Sequence, residues 1–265
     1  MMLVEARKQV RRLRTYLGLG LVALIPVILT VSFKANPPRP DRERDFFSFV
    51  THSGPNMAIV ALTAESAFLL IVVASLFGGE TVAGEASWGT LRYLLIRPVS
   101  RNRLLATKLG VAWALAVLAT IAVCLVGLAV GTAAFGWHEV VTPAGLQFAP
   151  GAAVARLALA TVYVAWGLSA FLAFGFMLST MTDTASGAVA GGVGLGVVSQ
   201  ILNNISALNG ISFAFPTHYL DAWHGLFVQP AQTADMVHGV LVQLPYVAVF
   251  LAVAFWWFNR KDVLS

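Results

Sequence analysis

Charged residues are scarce in this sequence. Asp, Glu, Lys and Arg make up 11% of its 265 residues, whereas a typical soluble domain is about 25% charged. Hydrophobic residues make up 58%, and the mean hydropathy is +0.79. This balance excludes a soluble globular enzyme, a disordered chain and a secreted disulfide scaffold. It predicts a polytopic membrane protein with an all-α fold, because only helices or closed barrels satisfy backbone polar groups in lipid.

Cysteine and nucleotide-binding motifs are also nearly or wholly missing. The single cysteine, Cys124, lies in an apolar run, so no intrachain disulfide can form. The sequence has no G-x-x-x-x-G-K-[ST] phosphate loop. We therefore expect no ATP hydrolysis, no bound cofactor and no metal site in this chain, and we expect that it is not an enzyme. If the chain takes part in an energy-requiring process, the energy comes from a partner ATPase or an ion gradient.

Six apolar runs predict six membrane-spanning helices in one transmembrane domain covering residues 1–265. Short loops join them, apart from an inner loop at 79–108 and an aromatic outer segment at 207–236, which we predict to be a re-entrant helical hairpin. The predicted spans cover residues 16–33, 57–77, 109–135, 157–181, 185–206 and 237–258.

The positive charges predict the orientation of these spans. With the N-terminus inside, the inner regions hold twelve Lys and Arg residues and the outer regions hold five. An excess of Lys and Arg marks the cytoplasmic side, so both termini are expected in the cytoplasm. The basic residues show no aromatic-interleaved platform for single-stranded nucleic acid, so no nucleic-acid partner is expected. The Ala/Gly/Val-rich composition favours a bacterial inner membrane.

The N-terminal segment has an amphipathic pattern. Apolar Leu3, Val10, Leu13 and Leu17 alternate with a basic face of Arg7, Arg11 and Arg14. This pattern predicts an interfacial helix on the inner leaflet; the alternative is a basic tail that serves topology alone.

The inner loop at 79–108 is rich in charged residues, whereas the spans around it have few. Leu91, Leu94 and Leu95 are spaced to share a helical face, and Arg92 points away from it. Pro98 ends this short helix, and Ser100 is placed to cap the next one. A short amphipathic helix at the inner mouth of a bundle is a good contact for a cytosolic partner.

This loop resembles the signature of the ABC type-2 exporter permeases. The matching residues are Glu85, Gly89 and Thr90, spaced E-x-x-x-G-T, followed by the Pro98–Arg101 stretch P-V-S-R and by Lys108. The C-terminal sequence F-N-R-K-D at 258–262 also resembles the usual C-terminal sequence of that family, and the resemblance extends over the six spans. It implies that the loop is a coupling helix that docks into a separate ATPase. The implied coupling residues are Glu80, Glu85, Gly89, Thr90, Leu91, Arg92, Leu94, Leu95, Pro98, Ser100 and Arg101.

The resemblance also implies the partners. Two permease copies, identical or closely paralogous, would assemble in the lipid bilayer with two cytosolic ABC ATPase subunits that carry the ATP and Mg. The assembly would export an amphipathic or lipid-like substrate such as a drug, antibiotic, lipid or peptide. Alternatives are an intramembrane lipid-modifying enzyme, an accessory membrane protein, or an ABC permease that serves metal-site maturation.

Few polar residues are available for a substrate path. Glu65 is the one mid-span carboxylate, which is a thin basis for ion coupling. It either lines a polar path or makes a structural hydrogen bond, for example to Thr63. Gln200, Asn203 and Asn204 either line the same cavity or mark the outer end of their span. Small-xxx-small pairs at Gly127/Gly131, Gly187/Gly191 and Gly192/Gly196 predict close helix packing, and the glycine-rich fifth span is alternatively an element that moves.

Overall fold

The protein is described here by a computed structural model covering residues 2–37, 46–87, 89, 100–208 and 210–260. Its helices are α1 (Met2–Val10), α2 (Leu13–Ala35), α3 (Gly54–Ser66), α4 (Leu69–Gly79), α5 (Ala83–Ser87), α6 (Arg101–Phe135), α7 (Pro150–Gly167), α8 (Ser169–Met181), α9 (Ala185–Asn203) and α10 (Ala234–Arg260). Short 3-10 helices cover Phe46–His52, Ser206–Leu208, Ser212–Ala214 and Ala222–Phe227. A two-residue antiparallel pair joins β1 (Val140–Val141) to β2 (Gln147–Phe148).

The membrane-spanning helices agree with the predicted all-α polytopic fold. Within the described ranges, five helices are long and apolar enough to cross a membrane, with α7 and α8 counted as one. The count is six when α3 and α4 form one span. Those two helices are bent by 56° at a short break, whereas the sequence predicted one continuous helix there. The helices α2, α6 and α10 extend beyond their apolar runs.

Helix α4 lies at the centre of the bundle. It packs against α6, α8 and α9, while α3 packs along α6 and α10 packs along α8. The buried core runs continuously through these elements, and almost every residue of α3 from 54 to 62 is inaccessible. The first membrane-spanning helix, α2, lies on the outside against α6 and has one exposed apolar face.

The helix ends meet in two groups, which define two ends of the bundle. At the basic end, Lys108 of α6 lies 3.0 Å from Glu5 of α1, and Arg101 donates to the carbonyl of Phe258 in α10. At the opposite end, the amide of Gly54 donates to the carbonyl of Gly136 over 2.8 Å. The chain thus returns to the basic end after every second span, as an even number of spans requires.

The N-terminal helix has the two faces that its sequence predicted. Glu5 and Gln9 are buried against the bundle, and Leu3 is 86% exposed. Leu13 and Leu17 continue the exposed apolar side into α2. This arrangement is suited to a helix that rests its polar side on the protein and its apolar side in lipid.

The outer segment differs from the predicted helical hairpin. Its described residues form short 3-10 helices, and Trp223 and Phe227 are buried against the bundle. Pro216 and Pro230 supply no amide hydrogen. At Gly225, a Cβ would lie 2.3 Å from the carbonyl oxygen of Gln232. The prolines interrupt helical hydrogen bonding, and the close approach leaves no room for a side chain at Gly225.

A small hairpin at the opposite end was not predicted. The side-chain amide of Asn56 donates to the carbonyl of Val141 over 2.8 Å and accepts from its N–H over 3.2 Å. The same residue is bonded to Ser53, which caps α3. One asparagine therefore holds both the start of α3 and the hairpin.

Glycines allow the central helices to approach closely, as the small-xxx-small pairs predicted. A Cβ on Gly131 would lie 2.6 Å from Cβ of Met57, and one on Gly196 would lie 2.6 Å from a methyl group of Ile71. At Gly78, the carbonyl oxygen of Leu172 would be only 2.2 Å away. These contacts bring α6 onto α3, α9 onto α4, and α4 onto α8.

We expect Gly192→Ala and Gly194→Ala in α9 to have opposite effects. A Cβ at Gly192 would lie 2.8 Å from Cβ of Ser75, while one at Gly194 meets nothing within 4 Å. Overpacking at Gly192 should cost about 1–3 kcal/mol. Alanine at Gly194 should stabilise by about 0.5–1 kcal/mol through helix propensity. Apparent melting temperatures in detergent measure both, and equal shifts would contradict the packing of α9 on α4.

Candidate functional site

The predicted coupling residues fall into two groups. Thr90, Leu91, Arg92, Leu94, Leu95 and Pro98 lie outside the described residues. The structure describes the two flanks of the loop, which carry Glu80, Glu85, Gly89, Ser100 and Arg101.

The flank that enters the loop is fixed by a hydroxyl of α8. The Oγ of Ser179 accepts the amide hydrogens of Val82 and Ala83 over 2.9 and 2.8 Å. These two donors stand at the start of α5, where a helix has free N–H groups. The short helix is thereby positioned so that Glu85 points into the bundle instead of outward.

Glu85 and Lys108 form the centre of a buried ion cluster. Each side chain is 1% exposed, and the Lys108 ammonium lies 2.7 Å from Oε1 of Glu85. The same ammonium lies 3.0 Å from Oε1 of Glu5 and donates to the carbonyl of Thr81 over 3.1 Å. Three oxygens, one from α1 and two from the segment that leads into the loop, therefore surround one cation.

The junction between α1 and α2 adds further cations. Lys8 bonds Oε1 of Glu85, and Nη2 of Arg12 lies 3.7 Å from the same oxygen. At the rim, Arg14 bonds the carboxylate of Glu80. The cluster ties the N-terminal helix to both flanks of the loop.

The cations of the cluster keep Glu5 in its ionised form. Burial raises the pKa of Glu5, but the Lys108 charge, the hydrogen bonds from Lys108 and Gln9 and the Lys8 charge outweigh it, so the pKa lies below its ordinary value. Glu5 is therefore ionised at neutral pH. Such pairing matters because an unpaired buried charge is costly.

The flank that leaves the loop is anchored to the C-terminal helix. Nη1 of Arg101 donates to the carbonyls of Phe258 and Asn259, each over 3.2 Å, and Asn259 donates to Asn102 over 2.6 Å. Ser100 stands at the N-cap position of α6 in extended backbone, but its side chain makes no capping hydrogen bond. Its carbonyl accepts the first helical bond, from Leu104.

Sequence analysis missed the N-terminal half of this cluster. It assigned Glu85 to a partner, and the structure buries Glu85 among cations of its own chain. A signal was present, because Glu5, Lys8, Gln9 and Arg12 recur at helical spacing and form a polar stripe. That Glu85 and Arg101 contact an ATPase stays a prediction.

A cavity of about 550 Å³ opens beside the cluster. It is lined by Lys8, Arg11, Arg12, Leu13, Arg14, Glu80 and Gly84. A second cavity, of about 540 Å³, shares Arg14 and Glu80 with the first and extends to the start of α9 at 183–190.

Glu65 lies two residues before the break between α3 and α4. It is buried, and neither carboxylate oxygen has a hydrogen-bond partner within the described ranges. The structural bond to Thr63 that the sequence offered as an alternative is not present. The Thr63 hydroxyl instead donates to the carbonyl of Ile59 over 2.9 Å and lies 3.0 Å from Nε2 of His224.

His224 is held neutral at this contact. Burial lowers its pKa from 6.5 to about 4, and a backbone hydrogen bond to Asp221 opposes the shift only in part. The contact joins the outer segment to α3.

The amides of α9 make local bonds near the same level. Gln200 donates to the carbonyl of Ala67, which the break leaves free, and Asn204 donates to the carbonyl of Gln200 over 2.8 Å. Asn203 lies 2.6 Å from Nδ1 of His218 in the outer segment. These bonds support the alternative that the amides stabilise the outer end of the span; their role in a substrate path stays a prediction.

We expect Lys108→Met to destabilise the protein by about 3–5 kcal/mol, because it leaves two carboxylates buried without their shared cation. The exposed Lys34→Met is the matched control and should change stability by less than about 0.5 kcal/mol. Apparent melting temperatures in detergent measure both variants. A Lys108→Met protein as stable as the control would show that the cluster is not a structural anchor.

The comparisons with known proteins assign this chain to a family. Residues 21–264 match the family described as protein of unknown function (DUF2705). No curated protein matches the chain. Because the matched stretch covers most of α2 and all of the later spans, this multi-pass membrane protein belongs to the DUF2705 family.

Proposed function

We propose that the chain is the membrane-spanning permease subunit of an ATP-driven exporter of the ABC type-2 class. One observation carries this proposal: both flanks of the loop that resembles a coupling helix are anchored at the basic end. Glu85 and Lys108 hold them to each other, and Arg101 holds the exit flank to α10. An element that transmits force from a partner needs such rigid connections to its spans.

In this proposal, Glu85 positions the loop within its own chain. Its carboxylate sets α5 against α6 and the N-terminal helix, so a displacement of the loop moves all three together. Helix α4 continues from α5 through the centre of the bundle to the break beside Glu65. The break is then the point at which movement of the loop alters the middle of the membrane.

The surroundings of the subunit follow from the same proposal. The basic end faces the cytoplasm of a bacterial cell, since the sequence predicts twelve of the seventeen Lys and Arg residues on that side. Two permease copies assemble with two ATPase subunits, which supply ATP and Mg. The chain itself catalyses nothing, and the exported substrate is amphipathic or lipid-like, because the spans offer few charges to a hydrophilic solute.

The test is association with an ABC ATPase. Affinity-tagged protein from its native membrane should co-purify with a cytosolic ABC ATPase, and Arg92→Glu should reduce the recovered ATPase about tenfold or more, because reversing an interface charge leaves both charges unpaired. Lys34→Glu makes the same charge change at the opposite end and should leave recovery unchanged. Both variants should retain their melting temperature.

Recovery of no ATPase with the wild-type chain, or equal recovery with Arg92→Glu, would contradict the proposal. Reversal of Glu85 or Arg101 is a poorer probe, because both side chains bond their own chain and their loss would destabilise the fold.

Glu65 provides a separate prediction within this function. Because its carboxylate has no hydrogen-bond partner in the described part of the chain, Glu65→Gln and Glu65→Leu should melt at or above the wild-type temperature. If it lies in the transport path, both should alter the ATP hydrolysis rate of the permease–ATPase complex. A loss of about 1–3 kcal/mol in Glu65→Leu, with normal activity in Glu65→Gln, would make Glu65 structural.

A further inference from the structure

Among the residues that the structure describes, the ion cluster and the cavity beside it hold more cations than carboxylates. The cations of the cavity and cluster are Lys8, Arg11, Arg12, Arg14 and Lys108, and the carboxylates are Glu5, Glu80 and Glu85. Five cations against three carboxylates leave two positive charges. The cavity therefore favours an anionic ligand.

One guanidinium in the cavity wall is available to such a ligand. Lys8 and Arg12 contact Glu85, and Arg14 contacts Glu80. The side chain of Arg11 is exposed, and it has no ion-pair or hydrogen-bond partner among the residues that the structure describes. A guanidinium group can donate two parallel hydrogen bonds to two phosphate oxygens, so a phosphate group suits this position.

The cavity opens onto an apolar surface. Leu13 belongs to its wall and is 71% exposed. From there an exposed stripe continues along one face of α2, with successive members three or four residues apart: Leu13, Leu17, Leu21, Leu24 and Ile28. A ligand that fills the cavity and follows this stripe has an anionic head and an apolar tail.

We propose that this cavity binds the phosphate headgroup of an anionic phospholipid, with an acyl chain along the exposed stripe of α2. The site lies where the apolar run of α2 begins, which is the depth of lipid headgroups when a helix enters a bilayer. The bound lipid would contact α1, α2 and the junction between them beside α5, and so it adds to the anchoring of the loop. This proposal does not depend on the ATPase.

The test uses the purified full-length chain in a neutral detergent. Phosphatidylglycerol should raise the apparent melting temperature in a saturable way, because a ligand of the folded state stabilises it. Phosphatidylcholine, which has no net charge, and inorganic phosphate, which has no tail, should have little effect at equal concentration. Stabilisation by inorganic phosphate alone would assign the cavity to a free anion and overturn the lipid.

Two variants locate the site. Arg11→Gln should raise the midpoint concentration of phosphatidylglycerol about tenfold, the loss of one charge-assisted contact. The control is Arg7→Gln, which removes an exposed charge of α1 four residues earlier, outside the cavity wall. It should leave the midpoint unchanged. Equal losses in the two variants would mean general attraction to anionic surfaces and would overturn a defined site.

Gly84→Leu tests the volume of the cavity without changing its charge. A Cβ at Gly84 would lie 3.6 Å from Nη1 of Arg12, an ordinary contact, and the rest of the leucine would occupy the cavity. The variant should melt normally without lipid and lose most of the stabilisation by phosphatidylglycerol. Full retention of that stabilisation would overturn the proposal. So would an Arg11→Gln variant that binds lipid normally but loses the ATPase, which would make the cavity a protein interface.

Discussion

The ammonium of Lys108 lies in the interior between carboxylates from α1 and α5, and the arrangement of the basic end depends on this contact. An ion pair without solvent is stable only when every charge in it has partners. Glu5, Glu85 and the carbonyl of Thr81 meet that condition for Lys108, while Lys8 and Arg12 balance Glu85 from the other side. The N-terminal helix is thus part of the folded bundle and more than a topological signal.

The broken span follows from a different constraint. A backbone carbonyl freed inside a membrane needs a donor from elsewhere in the protein. Gln200 of α9 supplies one to Ala67, and Ser66 donates to the carbonyl of Thr63. Glu65, immediately beside these satisfied groups, has no such partner within the described ranges. The two polar regions therefore differ: the charges of the basic end are paired, whereas the carboxylate at the break has no hydrogen-bond partner among the described residues.

These two regions are joined by α4, and this connection links the proposed coupling to the proposed lipid site. A lipid phosphate in the basic cavity would neutralise surplus charge next to Arg12 and Arg14, whose carboxylate partners position α5 and the end of α4. An ATPase that pushes on the loop would act through the same elements. Lipid composition would then influence how firmly the loop is held, without contact between the lipid and the ATPase.

The sequence by itself determined the membrane class, the approximate spans and the faces of α1, because hydropathy, helical periodicity and charge placement are local properties of the chain. It also indicated close packing at Gly131 and Gly196. Only the tertiary structure decided that Glu85 is buried. Its partners Lys8, Arg12 and Lys108 come from distant segments, and in the sequence their charges are equally consistent with signals that set membrane topology. The break after Glu65 and the 3-10 form of the outer segment were likewise not readable. The break depends on Gln200, which donates to a carbonyl that has lost its helical hydrogen bond. The outer segment depends on the carbonyl of Gln232, which fills the space beside Gly225.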